Sequence, residues 1–276
     1  MDLYDKVAYE NSRHLTLNYS TSFGMSSRFF SKQIQPHIYA VYGLVRIADE
    51  IVDTYKGPDA EALLDDLEKT TYVTLKNGYS TNPIVHAFGL TARRYGIGTQ
   101  LIKPFFESMR MDLHPQDYSP KNYQKYIYGS AEVVGLMCLR VFSDGNNKQY
   151  ESLREGASAL GAAYQKVNFL RDMAADYKEL GRLYFPGSTF ETFGEKEKQI
   201  IIKDIKRDFE KALLALRRLP ESSRKATMLS YVYYSELLKK LETTPVETIK
   251  TSRIRIPNSK KFLLMAATLS GTRGVK

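Results

Sequence analysis

Residues 63–75, 150–170, 198–219 and 222–241 carry apolar side chains mostly three or four positions apart, the spacing of helices with one buried face. Strand-like alternation is nowhere sustained. Gly and Pro gather between the periodic segments, at 56–59, 77–83, 95–98, 114–120, 144–147 and 186–194, where they punctuate the chain. The fold class that follows is all-α, with helices bundled so that their apolar faces share a core. One core can serve up to about 250–300 residues. At 276 residues and 43% hydrophobic, residues 1–276 therefore read as a single domain.

Charge and cysteine usage narrow the classes further. Cys138 is the only cysteine and lies in the apolar run VVGLMCL, so neither a disulfide nor a cysteine-rich metal site can form within the chain. The start, MDLYDKVAYEN, lacks the basic-then-apolar order of an export signal, and no apolar run approaches the ~18–20 residues of a spanning helix. The expectation is a cytoplasmic protein. Net charge is +9, and the last 27 residues hold seven Lys or Arg without an acid. Such a tail suits anionic lipid or a phosphorylated substrate, and weak peripheral association with the inner face of the cell membrane is expected. No nucleic acid is expected, because zinc-finger spacing, RNP-like aromatics and a basic helix are all missing.

Two short segments echo one another: RIADEIVD at 46–53 and RDMAAD at 171–176, each with an arginine ahead of two aspartates four apart. The first closes HIYAVYGLVRIADEIVD, apolar on most of its circumference; on a helix, Tyr42, Arg46, Asp49 and Asp53 fall within an arc of roughly 60°. The second closes LGAAYQKVNFLRDMAAD, where Gly161, Gln165, Asn168, Asp172 and Asp176 fall within roughly 80°. Paired carboxylates at this spacing repel, and more so when partly buried. A cation should sit between them. With the stripes facing each other, four carboxylates would surround an interhelical space, as in bundle metal sites.

The donor chemistry selects the metal. Carboxylates without histidine or thiolate suit Mg²⁺, which binds through one or two carboxylates plus substrate phosphates. Metal bridged to a diphosphate, with Arg completing the clamp, stabilises a diphosphate leaving group. His14, His37, His86 and His114 stand isolated, and no glycine-rich phosphate loop or dinucleotide fingerprint is present.

At these residues the chain resembles the squalene/phytoene synthase family, over roughly residues 15–265. STSF (20–23), YAVYGLVRIADEIVD, YIYGSAEVVG (126–135) and NFLRDMAADYKELGRLYFP (168–186) match the family's motifs in order. The resemblance implies a helical isoprenoid synthase (class I terpenoid) fold with a central cavity. It implies Mg²⁺, replaceable by Mn²⁺, on Asp49, Asp53, Asp172 and Asp176 with Asn168 assisting. It gives diphosphate contacts to Arg46, Arg171, Arg182 and Tyr184, and channel or reacting-centre positions to Ser22, Phe23, Tyr42, Tyr126, Gln165 and Tyr234. Departures are Glu132 for a usual glycine, Ala175 for a usual acid, and Tyr19 and Thr21 where a His or Lys is common.

The implied reaction joins two isoprenoid diphosphates head to head through a cyclopropylcarbinyl diphosphate. The compact length, LGRLYFP and the ending RIRIPNSKKFLLM are most similar to bacterial phytoene synthases, so phytoene from two geranylgeranyl diphosphates is expected, without NADPH. The rivals are squalene or dehydrosqualene synthesis from farnesyl diphosphate, a chain-elongating or cyclising terpenoid enzyme, and a helical scaffold that binds lipid or a partner without catalysis. A helix at 126–138, facing the one with Gly161, is expected to form part of the channel floor. Oligomeric state is not legible.

Overall fold

The structure, a computed structural model, describes residues 2–114 and 119–270, with the backbone alone at Thr21, Ser22, Leu180 and Leu269. Among the described residues there are thirteen α-helices and no strand. They are α1 (Leu3–Tyr19), α2 (Thr21–Ser27), α3 (Gln35–Asp49), α4 (Ala60–Asn77), α5 (Pro83–Tyr95), α6 (Thr99–Leu113), α7 (Pro120–Ile127), α8 (Val133–Phe142), α9 (Asn147–Leu180), α10 (Glu195–Leu216), α11 (Glu221–Thr243), α12 (Val246–Thr251) and α13 (Asn258–Leu269).

The 34-residue α9 organises the fold and is about 50 Å long at 1.5 Å per residue. It starts where the Asn146 side chain accepts the Gln149 N–H, and ends at Gly181. There φ is 64°, a left-handed turn that glycine adopts without strain. The turn folds the chain back, and the Arg182 N–H donates to the Asp176 carbonyl at 3.2 Å. Helix α10 lies along α9, while α3 packs on α1, α5 and α8. One hydrophobic core includes Leu44, Phe88, Phe105 and Leu136; another includes Val167, Leu170, Ile205 and Leu237. A cavity of about 860 Å³ draws its walls from both sides.

Two expected helices are interrupted. The first, over 37–53, is α-helical only to Asp49 and continues as a π-helical turn, Glu50–Thr54, where the Tyr55 N–H reaches back to the Glu50 carbonyl at 3.0 Å. The wider turn keeps Val52 buried against α4 and α6 and leaves the Asp53 side chain about half exposed, 3.5 Å from Arg182. The second, over 126–138, consists of the end of α7, a π turn (Tyr128–Glu132) and the start of α8. π turns recur at functional sites; the second of these lines the cavity at Ser130 and Ala131, and the first carries Asp53.

The expected facing of 126–138 and Gly161 is present, but at backbone distance. A Cβ at Gly161 would lie 2.5 Å from the Ala131 carbonyl oxygen, and one at Gly135 would lie 2.7 Å from that of Ala157. These small residues set helix–helix approach as well as lining the cavity.

Candidate active site

The cavity is long and graded. Along α9 its lining runs from Leu153 to Arg171, a rise of about 27 Å. At the N-terminal end of that run stand Leu153, Gly156, Ala157 and Leu160; at the C-terminal end stand Gln165, Asn168 and Arg171. Helix α3 follows the same gradient, from Ile38 and Val41 to Tyr42 and Arg46. Phe30 and Phe142, 5.4 Å apart by ring centroid, and Cys138 and Leu139 belong to the apolar end. Enclosure pushes the Cys138 thiol up to about 12, which keeps it protonated and unreactive.

Arg46 and Asp49 occupy the polar end of α3. The Arg46 guanidinium donates to Glu50 at 2.6 Å, lies 3.9 Å from Asp49 and sits 4.5 Å over the Tyr19 ring. Its Nε is buried and has no hydrogen-bond partner among the described residues. Asp49 is pushed up to about 7, chiefly by burial and then by the charge of Asp53, with Arg46 opposing. Asp53 is also raised by burial, against the pull of Arg182 at 3.5 Å.

The second acidic pair is treated unequally. Asp172 accepts from Arg171 Nε at 2.9 Å and from Arg253 Nε at 2.8 Å, so cations cover it from two sides. Asp176 is pushed up to about 7 by burial, then by Asp172 and by Asp53 from the other acidic segment. The two motifs therefore share one electrostatic field. Beside them the Tyr234 hydroxyl donates to Asn168 Oδ1 at 3.2 Å, and Gln165 Nε2 donates to Ser130 at 3.4 Å.

Arg182 links the cluster to a fifth carboxylate. It lies 3.2 Å from Asp112 on α6, donates to the Asp112 backbone carbonyl, and is 3.3 Å from the Tyr184 hydroxyl. Tyr126 donates to the other Asp112 oxygen at 2.8 Å. Asp112 is pushed up to about 7 by burial, with Arg182 and Tyr126 pulling it down and Asp53 and Asp49 raising it. Sequence reasoning missed this residue because no second acid stands at helical spacing from it. A signal existed: Asp112 falls on the face of α6 that buries Leu101, Phe105, Ser108 and Met109. Arg253 stands in the basic tail, at the start of the RIRIPNSKKFLLM ending, and no local pattern ties it to Asp172, 81 positions away.

Of the residues singled out from sequence, Arg46, Asp49, Asp53, Asn168, Arg171, Asp172, Asp176 and Arg182 converge. Phe23 and Tyr42 stack at 5.2 Å on the cavity wall, and Gln165 and Tyr234 line it. Tyr126 and Tyr184 stand behind the carboxylates, stacked at 5.3 Å, with Phe169 on Tyr184 at 4.0 Å. The Ser22 side chain lies outside the described residues, as do residues 271–276 of the basic tail.

Although these residues share one charged region, among the described residues no three His, Cys, Asp or Glu side chains stand close enough together to hold a metal ion by themselves. The donor set nonetheless suits Mg²⁺, because it is carboxylates with an amide oxygen and no histidine or thiolate, and burial together with neighbouring acid charge pushes Asp49 and Asp176 up to about 7, a penalty that a cation would relieve. A cation bridged by a substrate's phosphates meets that need without a complete protein cage.

The family model described as squalene/phytoene synthase matches residues 16–260. Phytoene synthase 3 of Zea mays is 26% identical over 278 residues, 94% of this chain and 65% of the relative. Phytoene synthase 2 of Solanum lycopersicum is 25% identical, over 94% of this chain and 88% of the relative. Of several of the curated relatives the chain spans about two thirds of the length. In three dimensions it is similar to a dehydrosqualene synthase crystal structure, with a TM-score of 0.82, 20% identity and 98% of each chain covered. It is also similar to a squalene synthase from Alicyclobacillus acidocaldarius, with a TM-score of 0.76, 21% identity and 87% and 95% coverage.

Proposed function

Since the chain belongs to the squalene/phytoene synthase family, a family of prenyltransferases, we propose that it is a phytoene synthase, joining two geranylgeranyl diphosphates head to head. The observation that carries this reading is the graded cavity, whose polar end is lined by Arg46, Asn168 and Arg171, the arginines pairing with Asp49 and Asp172, and whose other end is long and apolar. Its 860 Å³ stands in the upper part of the ~300–1,000 Å³ range of ligand pockets.

Asp49, Asp53, Asp172 and Asp176, with Asn168, are the residues that would hold Mg²⁺. When bound, the metal supplies charge neutralisation to the departing diphosphate. Arg46, Arg171 and Arg182 bind diphosphate oxygens; the buried Arg46 Nε, without a partner among the described residues, is a donor left over for such an oxygen. Asp112 and Tyr126 fix Arg182 from behind, so it need not reorganise as charge develops. Phe23 stacked on Tyr42, and Tyr164 stacked on Tyr234, put aromatic rings on the wall beside the cationic carbon chain, where a cation over a ring face gains up to about 2 kcal/mol when water is excluded. The apolar end keeps water from the cation, and the reaction closes by proton loss rather than hydride capture.

Supporting the phytoene product are the LGRLYFP and RIRIPNSKKFLLM segments and the phytoene synthase relatives. Purified protein incubated with Mg²⁺ and labelled geranylgeranyl or farnesyl diphosphate, with and without NADPH, tests it. Phytoene from the longer substrate, indifferent to NADPH, is expected. Squalene formed only with NADPH, or a strong preference for farnesyl diphosphate, would overturn the product while leaving the family untouched. The reading extends to a cytoplasmic protein, peripheral on the inner face of the membrane. Among the described residues no helix is long and apolar enough to cross a bilayer.

A further inference from the structure

Resting on the reading that substrate and product are long apolar chains, we infer that α13 and the corner between α1 and α2 form the surface that seats this protein on an anionic bilayer. Residues 11–48 contain no Asp or Glu, and neither do residues 248–276. The fold brings these two acid-free stretches together. A groove of about 210 Å³ has Leu17, Met25 and Arg28 on one side and Asn258, Lys261 and Phe262 on the other.

Helix α13 is held to the body by its inner face, where Leu264 and Thr268 are buried. Its outer face keeps Phe262 57% and Leu263 70% exposed, two adjacent large apolar side chains presented to the outside. Arg28 and Arg255 are exposed nearby, as is Lys260, whose ammonium lies 3.1 Å from Glu236 of α11. An apolar pair with cations nearby fits the headgroup boundary of an anionic membrane, where the rings and methyls leave water and the cations meet phosphate. It fits a second copy of this chain poorly, because the same acid-free surface would face itself.

The surface also adjoins the cavity. Groove and cavity share Ser20, Asn258 and Lys261 as lining, and Arg255 and Ile256 belong to the cavity wall on the same segment. Seated there, the protein exchanges apolar chains with the lipid without passing them through water.

Co-sedimentation of the full chain with phosphatidylcholine vesicles, with and without phosphatidylglycerol, tests the surface. Partition should rise with phosphatidylglycerol and fall with salt. Phe262→Ser combined with Leu263→Ser should lower it by about tenfold or more, and Arg28→Glu by about fivefold or more. Lys76→Glu, on the exposed side of α4, should stay within about twofold of wild type, as should diphosphate release by the Phe262/Leu263 variant from detergent-dispersed substrate. Wild-type partition indifferent to phosphatidylglycerol, unchanged partition in the double variant, or a shift from dimer to monomer in that variant would overturn the proposal. Vesicle binding without turnover of any isoprenoid diphosphate would count against the functional reading and leave the docking surface standing.

Discussion

Lys166 and Asp172 lie on different sides of α9, and the charges around them are settled in different ways. Lys166, facing α10, is buried and donates to Asp204 and to Asp208, the latter at 2.7 Å. Burial alone would push its pKa down, but the two carboxylates more than offset that and hold it above its usual value. At the other cluster, Asp49, Asp112 and Asp176 are each pushed up to about 7, with Arg182 opposing the shift at Asp112 and Asp176 and Arg46 opposing it at Asp49. Both clusters are rich in acid; the difference is in geometry. The first closes on a lysine held between two carboxylates, whereas in the second the carboxylates are raised by burial and by one another's charge, with too few cations among them to offset it. A matched buried cluster holds helices together, and an unmatched one stores a demand for a ligand.

The largest expected effect follows from removing an unmatched acid. Asp49→Asn and Asp176→Asn should each lower kcat by about 10³-fold or more, the scale of a lost electrostatic stabiliser. The metal-free protein should melt no lower than wild type, because repulsion is relieved. Asp172→Asn should also lose turnover but melt lower, since it strands Arg171 and Arg253. Near-normal turnover in the Asp49 or Asp176 variant would break the contrast at its functional end.

Breaking the matched cluster should do the reverse. Lys166→Met strands Asp204 and Asp208, and since these are partly solvated the cost should be about 2–3 kcal/mol in denaturant unfolding. Turnover per folded molecule should hold within a few-fold. A Lys166 variant that was stable but inactive would place that lysine in the chemistry instead.

The pH dependence of stability should carry the sign of the unmatched cluster. Carboxylates whose folded pKa is about 7, against about 4 unfolded, keep protons that the unfolded chain has lost. Their contribution is full below pH ~4 and is lost as pH rises toward 7, by at most about 1.4 kcal/mol per unit for each group. His37, buried against Tyr9 and Thr91 and pushed down to about 4, works oppositely: its contribution is present above about 6.5 and lost as pH falls. One histidine against three carboxylates leaves a net decline in metal-free stability from pH 4 to 7. Melting curves across that range should show a smaller decline in Asp176→Asn, and an unchanged slope would contradict the charge assignment.

The smallest effects concern chain length. Gly161→Leu cannot tune the channel floor, because its Cβ already meets backbone; the variant should fold poorly or not at all. Cys138→Phe, two turns deeper on α8, should shift the ratio of farnesyl to geranylgeranyl use by about tenfold, given ~0.8 kcal/mol per methylene displaced from the apolar end. Competition assays with both diphosphates measure the ratio directly. No shift would move the floor away from α8.

What the sequence determined by itself was whatever repeats within a few residues: the helices, their buried faces, and the two stripes that put Asp49 beside Asp53 and Asp172 beside Asp176. Helical periodicity is local, so a single chain displays it in full. The motif resemblance assigned Arg182 to the site as well. Only the tertiary structure decided which distant groups meet those stripes. Asp112 enters from α6, Arg253 crosses over from beyond α12, and π turns replace α-helix after Asp49 and before Val133. Lys166 has the same helical neighbourhood as Asn168, yet one closes an ion cluster and the other faces the cavity. That outcome depends on which helix packs against each face. Packing is set by shape and burial summed over the whole molecule, a quantity no short window of sequence contains.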